Sequence, residues 1–156
     1  MKKLKPSLLK IRIAKENDAF AIKQCVQASY QHYVKRMGQF PQPMTEDYSR
    51  VILAQQVFVV EENSELVGLL VLQPNSSSML LNNIAVHPNQ QGKGLGRRLL
   101  ELAESEARQK SFDTIELYTN QSMVENINLY KHFGYVETER QTVQNYQRVF
   151  MMKNLS

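Results

Sequence analysis

The sequence predicts a single α/β domain over residues 1–156, and three observations indicate it. The chain has 156 residues, 42% of them hydrophobic and 22% charged, which is typical of one globular domain. Segments rich in Val, Ile and Leu alternate with segments of helical periodicity along the chain. No internal repeat or low-complexity block interrupts this alternation, apart from a small turn at residues 75–78. We therefore expect strands and helices packed in layers around one core.

Seven strands and four helices are predicted. Strands are expected where apolar or aromatic residues cluster between turn residues, at 10–14, 57–61, 65–73, 79–86, 114–119, 135–138 and 146–153. Helices are expected where apolar residues recur at spacings of three and four, at 18–38, 46–55, 94–109 and 123–132. Residues 1–9 are rich in lysine and precede the first strand as a basic leader.

Caps and turn residues set the element boundaries in the first half of the chain. Asp18 is expected to cap the first helix, and Gly38 is expected to end it. The segment 38–45 contains two prolines and predicts a loop ahead of the second helix. A turn at Asn63 and Ser64 joins the second and third strands into an antiparallel hairpin.

Proline and glycine set the boundaries in the second half. The fourth strand must end at His87, because Pro88 disfavours helix in the residue before it and cannot donate to a strand ladder. From Leu95 to Ala107 apolar residues recur on one helical face and charged residues on the other, which is the clearest helical pattern in the chain. Gly134 ends the last helix ahead of the sixth strand.

Charge and cysteine content argue against several classes of protein. The net charge is +4, but six basic residues lie in residues 1–15 and the rest of the chain is nearly neutral, so only the leader suggests nucleic-acid binding. Lys10 and Arg12 interrupt the apolar stretch that a secretory signal needs, and no apolar run approaches the roughly 20 residues that span a membrane. The single Cys25 cannot form an internal disulfide, which favours a cytoplasmic location. The three histidines have no metal-binding spacing.

A glycine-rich loop between the fourth strand and the third helix is the main candidate for a binding site. Gly92, Gly94 and Gly96 let the backbone approach a ligand closely, and the first-turn N–H groups of a helix have no internal partner. Together with Lys93 and Arg97, these groups favour a phosphate or pyrophosphate. The spacing excludes both the P-loop and the dinucleotide fingerprint. The alternative is that the glycines only form a tight turn.

Two blocks of sequence resemble motifs of the GNAT superfamily of N-acetyltransferases. Residues 91–96 (QGKGLG) are similar to the family's Q/R-x-x-G-x-G/A acetyl-CoA loop, and residues 84–88 (IAVHP) are similar to its central strand and the exit from that strand. Residues 118–135 resemble a later helix of the family and its aromatic-glycine ending. The resemblance covers roughly residues 80–136. It implies a GNAT-like α/β domain with a mixed, mostly antiparallel sheet of about six or seven strands and about four flanking helices.

The resemblance also implies that acetyl-CoA is the cofactor. The implied cofactor-binding residues are Ile84, Ala85, Val86, Gln91, Gly92, Lys93, Gly94, Leu95, Gly96, Arg97 and Asn126. The strand residues would pair with the pantetheine arm through their backbone groups, and the loop residues would hold the pyrophosphate. Other members of the family place an asparagine one turn before Asn126, where this chain has Met123.

Tyr130 is the implied catalytic residue, because it matches a tyrosine that lies beside the coenzyme sulfur in many relatives. A tyrosine is protonated at neutral pH and can act as a general acid toward a departing thiolate. The backbone N–H of Val86 is expected to stabilise the oxyanion. The alternative for Tyr130 is core packing, because Met123 and Ile127 share its helix face.

The base is not evident from the sequence. Many relatives carry a carboxylate on the central strand, where this chain has Asn82 and Asn83, and an asparagine does not accept a proton at working pH. Our hypothesis is that a chain of water molecules removes the proton, or that the acceptor amine has a low pKa.

The acceptor is expected to bind beside the aromatic-rich segment 30–48. The candidate substrate-binding residues are Tyr30, Tyr33, Arg36, Tyr48 and Asn82. The alternative is that these aromatic residues pack the first two helices together. The sequence thus predicts transfer of an acetyl group from acetyl-CoA to a primary amine of a small molecule or peptide. A non-catalytic acyl-CoA-binding sensor is the alternative function, and a homodimer is common among such folds.

Overall fold

The structure, a computed structural model, describes residues 8–156, and within them seven strands and four α-helices alternate as predicted. The strands are β1 (Leu9–Ile13), β2 (Gln56–Glu62), β3 (Glu65–Pro74), β4 (Met79–Val86), β5 (Thr114–Asn120), β6 (Val136–Val143) and β7 (Tyr146–Asn154). The helices are α1 (Ala19–Met37), α2 (Tyr48–Ala54), α3 (Leu95–Gln109) and α4 (Val124–His132). Of the leader predicted at residues 1–9, residues 1–7 lie outside the described residues, and Leu9 begins β1.

The strands form one sheet in the order β1-β2-β3-β4-β5-β7-β6. Within the described chain only the β4–β5 pair is parallel, and the other neighbouring strands are antiparallel. The prediction of a mixed, mostly antiparallel sheet flanked by four helices is therefore confirmed. β7 lies between β5 and β6, so the sixth strand of the sequence is one of the two edge strands, opposite β1.

Alternate residues of the central strands face two separate cores. Val60 packs in a cluster with Leu99 of α3, whereas its neighbour Val59 packs in a cluster with Ile22 of α1. This period of two is the pattern of a strand buried on both faces. The sheet is therefore covered by α3 on one face and by α1 on the other.

Asp18 does not cap α1 as predicted. It lies in a 3-10 turn, Glu16–Asp18, with its own backbone already helical. Its carboxylate accepts hydrogen bonds from the backbone N–H of Lys15 at 2.7 Å and from Arg12 Nη1 at 2.7 Å. The neighbouring arginine of β1 thus holds the carboxylate away from the first turn of the helix.

The second helix and the sixth strand also differ from their predicted bounds. α2 begins at Tyr48 rather than at residue 46, because the side chain of Asp47 accepts from the N–H of Ser49 and caps the helix there. A 3-10 turn, Gln42–Thr45, occupies part of the predicted loop. β6 continues to Val143, well beyond the predicted end at residue 138.

A gap in the sheet separates β4 from β5. Within the described chain the two strands share three residue pairs, and the last of these joins Leu81 to Leu117. β4 continues to Val86 with only β3 beside it. Residues 82–86 therefore present an unpaired strand edge in the middle of the sheet.

Candidate active site

Two clefts meet at the gap between β4 and β5. The glycine-loop cleft has an empty volume of about 1360 Å³ and is lined by the loop before α3, by α1 and by α4. The tyrosine cleft has an empty volume of about 800 Å³ and is lined by Tyr48, Tyr118 and Tyr146 among others. Four residues line both clefts: Tyr30, Ile84, Asn126 and Tyr130. Two ligands bound in the two clefts would therefore approach each other at these residues.

The glycine loop forms an open helix N-terminus. Gly92 and Gly94 have φ values of 80° and 83°, a left-handed conformation that favours glycine. α3 begins directly after Gly94, and no side chain of residues 8–156 caps its first turn. A Cβ atom built at Gly94 or Gly96 meets no atom within 4 Å, so the space in front of the loop is free. The unpartnered N–H groups of this turn fit an anionic group such as the diphosphate of coenzyme A.

Basic side chains surround the loop to different extents. Arg97 lines the glycine-loop cleft and pairs with Glu101 at 3.1 Å on the exposed face of α3. Lys93 and Arg98 are exposed beside the loop but do not line the cleft. The side-chain Nε2 of Gln91 donates to the carbonyl oxygen of Val86 at 3.3 Å, and this hydrogen bond connects the loop to the end of β4.

The peptide groups at the end of β4 alternate between β3 and the gap. Ala85 pairs with Leu69, and the N–H of His87 donates to β3, so these residues turn their peptide groups toward β3. Ile84 and Val86 turn theirs toward the gap, because peptide groups alternate along a strand. Ile84 and Val86 line the glycine-loop cleft, whereas Ala85 is 3% exposed and lines neither cleft.

The ring of Tyr130 packs in the core and also reaches both clefts. It is 6% exposed and lies in the same cluster as Ile127. Within residues 8–156 its hydroxyl has no hydrogen-bond partner. Burial raises the pKa of Tyr130, so the hydroxyl keeps its proton at neutral pH. A protonated, unengaged hydroxyl at the junction of two clefts can donate a hydrogen bond to a ligand.

Asn126 lies one turn before Tyr130 on α4 and lines both clefts. Its amide nitrogen lies 3.8 Å from the sulfur of Met123, the residue that stands one turn earlier. Met123 itself is buried and lines only the tyrosine cleft. The structure therefore places the amide of Asn126, rather than an amide at residue 123, at the junction.

A buried network of hydrogen bonds fixes the two asparagines of β4. The Tyr30 hydroxyl donates to Oδ1 of Asn83 at 2.8 Å, and Nδ2 of Asn83 donates to the Tyr48 hydroxyl at 3.1 Å. The Tyr48 hydroxyl in turn donates to the carbonyl of Pro43 at 2.6 Å. Burial raises the pKa of both tyrosines. Nδ2 of Asn82 donates to Oε1 of Gln55 at 2.7 Å.

The five residues predicted to bind substrate divide between the clefts. Tyr30, Tyr48 and Asn82 line the tyrosine cleft, Tyr33 lines the glycine-loop cleft, and Arg36 lines neither. The structure therefore brings three of the five to one site.

Tyr33 and Arg36 connect α1 to α4 through Glu125. Arg36 Nη1 donates to Oε2 of Glu125 at 2.8 Å, and the Tyr33 hydroxyl donates to the same oxygen at 3.2 Å. The hydrogen bond from Arg36 lowers the pKa of Glu125 to about 2, and burial raises the pKa of Tyr33 to about 12. Glu125 therefore stays charged and holds the two helices together beside the gap.

Sequence reasoning missed two charged residues of the tyrosine cleft, Glu46 and Arg148. The Arg148 guanidinium carbon lies 4.2 Å from the centroid of the Tyr118 ring, and Nη2 donates to Oε1 of Gln42 at 2.7 Å. The sequence carries only a weak signal for Arg148, a cation at the start of an otherwise apolar strand segment. Its position depends on β7 pairing with β5, which the sequence does not reveal.

Several other features bear on the chemistry of the chain. No helix within residues 8–156 is long and apolar enough to cross a membrane. In the same part of the chain, no three His, Cys, Asp or Glu side chains lie close enough to hold a metal ion. Cys25 is buried, and burial raises the pKa of its thiol to about 11, which is the behaviour of a core residue rather than of a nucleophile.

Comparisons with known proteins show which family and fold this chain resembles. A family model described as an acetyltransferase (GNAT) domain matches residues 54–137. The uncharacterized N-acetyltransferase YhfO of Bacillus subtilis is 30% identical over 141 residues, which are 83% of this chain and 91% of that protein. The PaiA N-acetyltransferase of Thermoplasma acidophilum, solved in complex with coenzyme A, superimposes with a TM-score of 0.77 at 16% identity, covering 94% of this chain and 99% of that one. A GNAT family acetyltransferase of Elizabethkingia anophelis with acetyl-CoA bound superimposes with a TM-score of 0.65 at 17% identity, covering 94% and 97%.

Proposed function

Because this chain belongs to the GNAT family of acetyl-CoA-dependent N-acetyltransferases, we propose that it acetylates the primary amine of a small molecule or peptide by direct attack. Acetyl-CoA, when bound, supplies an activated acetyl thioester. The observation that carries the proposal is the meeting of the two clefts at Tyr130 and Ile84. We assign acetyl-CoA to the glycine-loop cleft and the acceptor amine to the tyrosine cleft.

Two groups of backbone donors would hold acetyl-CoA. The first is the open turn of residues 91–97, whose uncapped N–H groups would bind the diphosphate. The second is the unpaired edge of β4, where Ile84 and Val86 would offer their N–H groups to the pantetheine arm, since their carbonyl oxygens already accept from Tyr30 and Ser29. Ala85 lies between Ile84 and Val86 and pairs with Leu69 of β3, which holds this part of the strand in place. The exposed Lys93 adds positive charge beside the loop. Asn126 offers an amide at the inner end of the same cleft.

Tyr130 is the proton donor that we assign to the departing sulfur. Its buried position and raised pKa keep the proton on Oη across the physiological range. The N–H of Val86, which faces the gap, is the donor assigned to the acetyl carbonyl oxygen. Both groups act from fixed positions, since one is held by the core and the other by the sheet.

Removal of the amine proton would not depend on the asparagines of β4. Asn82 and Asn83 are engaged with Gln55, Tyr30 and Tyr48 and are neutral. Among the described residues that line the tyrosine cleft, Glu46 is the one with a carboxylate, and it is exposed to solvent. We therefore retain water, or an acceptor amine of low pKa, as the route for this proton.

Thiol release measures the proposed reaction. Purified protein, acetyl-CoA and a panel of primary amines should release free coenzyme A at a rate that saturates with one class of amine. A parallel thermal melt with acetyl-CoA, coenzyme A or ATP should show stabilisation by the first two ligands, because selective binding raises the melting temperature by mass action. Stabilisation without thiol release from any amine would instead support the sensor alternative. No stabilisation by either coenzyme would contradict the assignment of the glycine-loop cleft.

A further inference from the structure

β7 contributes a single cation to the tyrosine cleft. Among the described residues that line this cleft, Arg148 is the only lysine, arginine or histidine. Its guanidinium stacks on Tyr118 of β5 and donates to Gln42 of the 3-10 turn before α2. Two separate elements thus fix the orientation of one positive charge.

Most of the donors on Arg148 are unused. A guanidinium has five N–H donors in a planar fork, and within residues 8–156 a single hydrogen bond from Nη2 to Gln42 engages this group. Nε is shielded from solvent, so a ligand in the cleft does not reach it. Nη1 also has no acceptor among those residues, and it is not shielded. The group can therefore bind an anion in the cleft through its terminal nitrogens.

The charge of the cleft favours a carboxylate over a phosphate. A phosphate monoester carries close to two negative charges at neutral pH, and phosphate sites commonly combine several cations or backbone donors. Here one cation shares the cleft with the carboxylate of Glu46. A planar, singly charged carboxylate matches the guanidinium fork and its single charge.

The sheet places the anion site and the reacting amine in the same cleft. β5 lies between β7 and β4, and the Arg148 side chain stacks over Tyr118 of β5. Arg148 lines this cleft together with Ile84 and Tyr130, so a small acceptor that carries both an amine and a carboxylate suits it. Met37, Val51 and Leu117 line the remaining wall and suit an apolar side chain.

From these observations we infer that the acceptor is an amino acid with an apolar side chain, whose carboxylate is bound by Arg148. This inference rests on the proposed acetyl transfer and names its substrate class.

Matched amines test the inference in the intact enzyme. Phenylalanine, phenylalaninamide and phenethylamine share a side chain and differ in the carboxylate, and leucine with its two analogues forms a second set. With kcat/KM referred to the free-amine concentration, the wild-type enzyme should prefer each amino acid by at least about tenfold. Arg148→Gln should reduce this preference to about one, because the three compounds of a set differ in the carboxylate that Arg148 binds. Arg140→Gln, an exposed arginine of β6 that lines neither cleft, is the control that should keep the preference.

The possible outcomes distinguish a failure of the inferred substrate class from a failure of the proposed acetyl transfer. Equal turnover of acid, amide and amine by the wild-type enzyme overturns the inference and leaves acetyl transfer intact. An undiminished preference in Arg148→Gln also overturns it, provided that a thermal melt with coenzyme A shows the variant to be folded. Faster turnover of an aminoalkyl phosphate than of any amino acid overturns the choice of carboxylate.

Thiol release from no amine, either in these sets or in the wider panel, contradicts the proposed function. The inference is then decided by equilibrium binding to the coenzyme A complex. Saturable binding of phenylalanine to wild type but not to Arg148→Gln supports it, and absence of binding to wild type contradicts it.

Discussion

The rings of Tyr130 and Tyr135 meet edge to face with their centroids 5.9 Å apart, yet only Tyr130 lines the two clefts. The hydroxyl of Tyr135 is enclosed and has no partner among the described residues. Burial raises the pKa of both tyrosines. Two neighbouring side chains of the same type therefore differ mainly in their access to ligand, which makes them a matched pair for mutagenesis.

Replacing Tyr130 by phenylalanine should lower kcat about 10²-fold, the usual contribution of a general acid. The affinity for acetyl-CoA should change little, because backbone groups supply most of that binding site. Tyr135→Phe is the control and should keep kcat, since it removes an unpartnered hydroxyl outside both clefts. Steady-state thiol release and calorimetric titration with coenzyme A give the two quantities. Equal losses of kcat in the two variants would mean that the tyrosine ring acts only through packing.

Gly96→Ala should strengthen the fold and weaken the binding of acetyl-CoA. Gly96 lies inside α3 without a positive φ, so alanine should raise the free energy of unfolding by about 0.5–1 kcal/mol. The added Cβ enters the free space in front of the loop and should raise the Kd for acetyl-CoA about tenfold by blocking close approach of the backbone. Urea unfolding and calorimetric titration measure the two effects.

Ser105→Ala, on the exposed face of the same helix, provides the control for Gly96→Ala. It should add helix propensity without changing the affinity for acetyl-CoA. Unchanged affinity in Gly96→Ala as well would show that the ligand does not approach this turn.

The carboxylates of Asp47 and Glu116 should prove dispensable for turnover. Asp47 caps α2, Glu116 contacts Asn75 at 3.4 Å, and neither side chain lines a cleft. Asp47→Asn and Glu116→Gln should therefore keep kcat/KM within about twofold of wild type. The pH–rate profile should also keep its shape. A loss of more than about tenfold in either variant would contradict the hypothesis that water or a low-pKa amine removes the proton.

Asp18 should make folding stability depend on acidity. Its carboxylate accepts from Arg12 Nη1 at 2.7 Å and from Arg12 Nη2 at 2.9 Å, and these hydrogen bonds lower the pKa of Asp18 in the folded state. Because the folded pKa lies below the unfolded value, the stabilisation is present at pH values above about 4 and is lost as the pH falls further. Asp18→Asn should lower the free energy of unfolding by about 2 kcal/mol at pH 7.

Urea unfolding of wild type and Asp18→Asn at pH 7 and at pH 3 tests this relationship. The difference between the two proteins should shrink at the lower pH. Glu137→Gln, which breaks an exposed pair with Arg140, is the control and should have little effect. A difference that stays constant with pH would exclude the Arg12–Asp18 hydrogen bonds as its source.

The parts of the fold and site that the sequence predicts are those encoded by nearby residues. The loop at residues 91–96 can be predicted because three glycines, a preceding strand and a following helix all lie within a short stretch. The end of β4 follows from Pro88. Tyr130 stands out because the segment 118–135 resembles a motif of the GNAT family.

The parts that the sequence does not predict depend on contacts between distant segments. Most of β6 is exposed at the outer edge of the sheet, so it lacks the apolar alternation that marks a strand. β7 enters between β5 and β6, and only that order brings Arg148 beside Tyr118. Asp18 is a typical helix cap in sequence, but its carboxylate bonds to Arg12 of β1 and does not cap α1.

The unpaired stretch of β4 has one more consequence, for the behaviour of the protein at high concentration. A strand with free N–H and C=O groups normally invites another polypeptide to pair with it, and such edges promote aggregation. In this fold the free stretch is recessed between α1 and α4 instead of lying on the rim of the sheet. A strand of another molecule would have to enter between these two helices to reach the unpaired N–H groups. The opening that admits a cosubstrate to these groups thus also sets them away from the rim of the sheet, where strands of separate molecules pair.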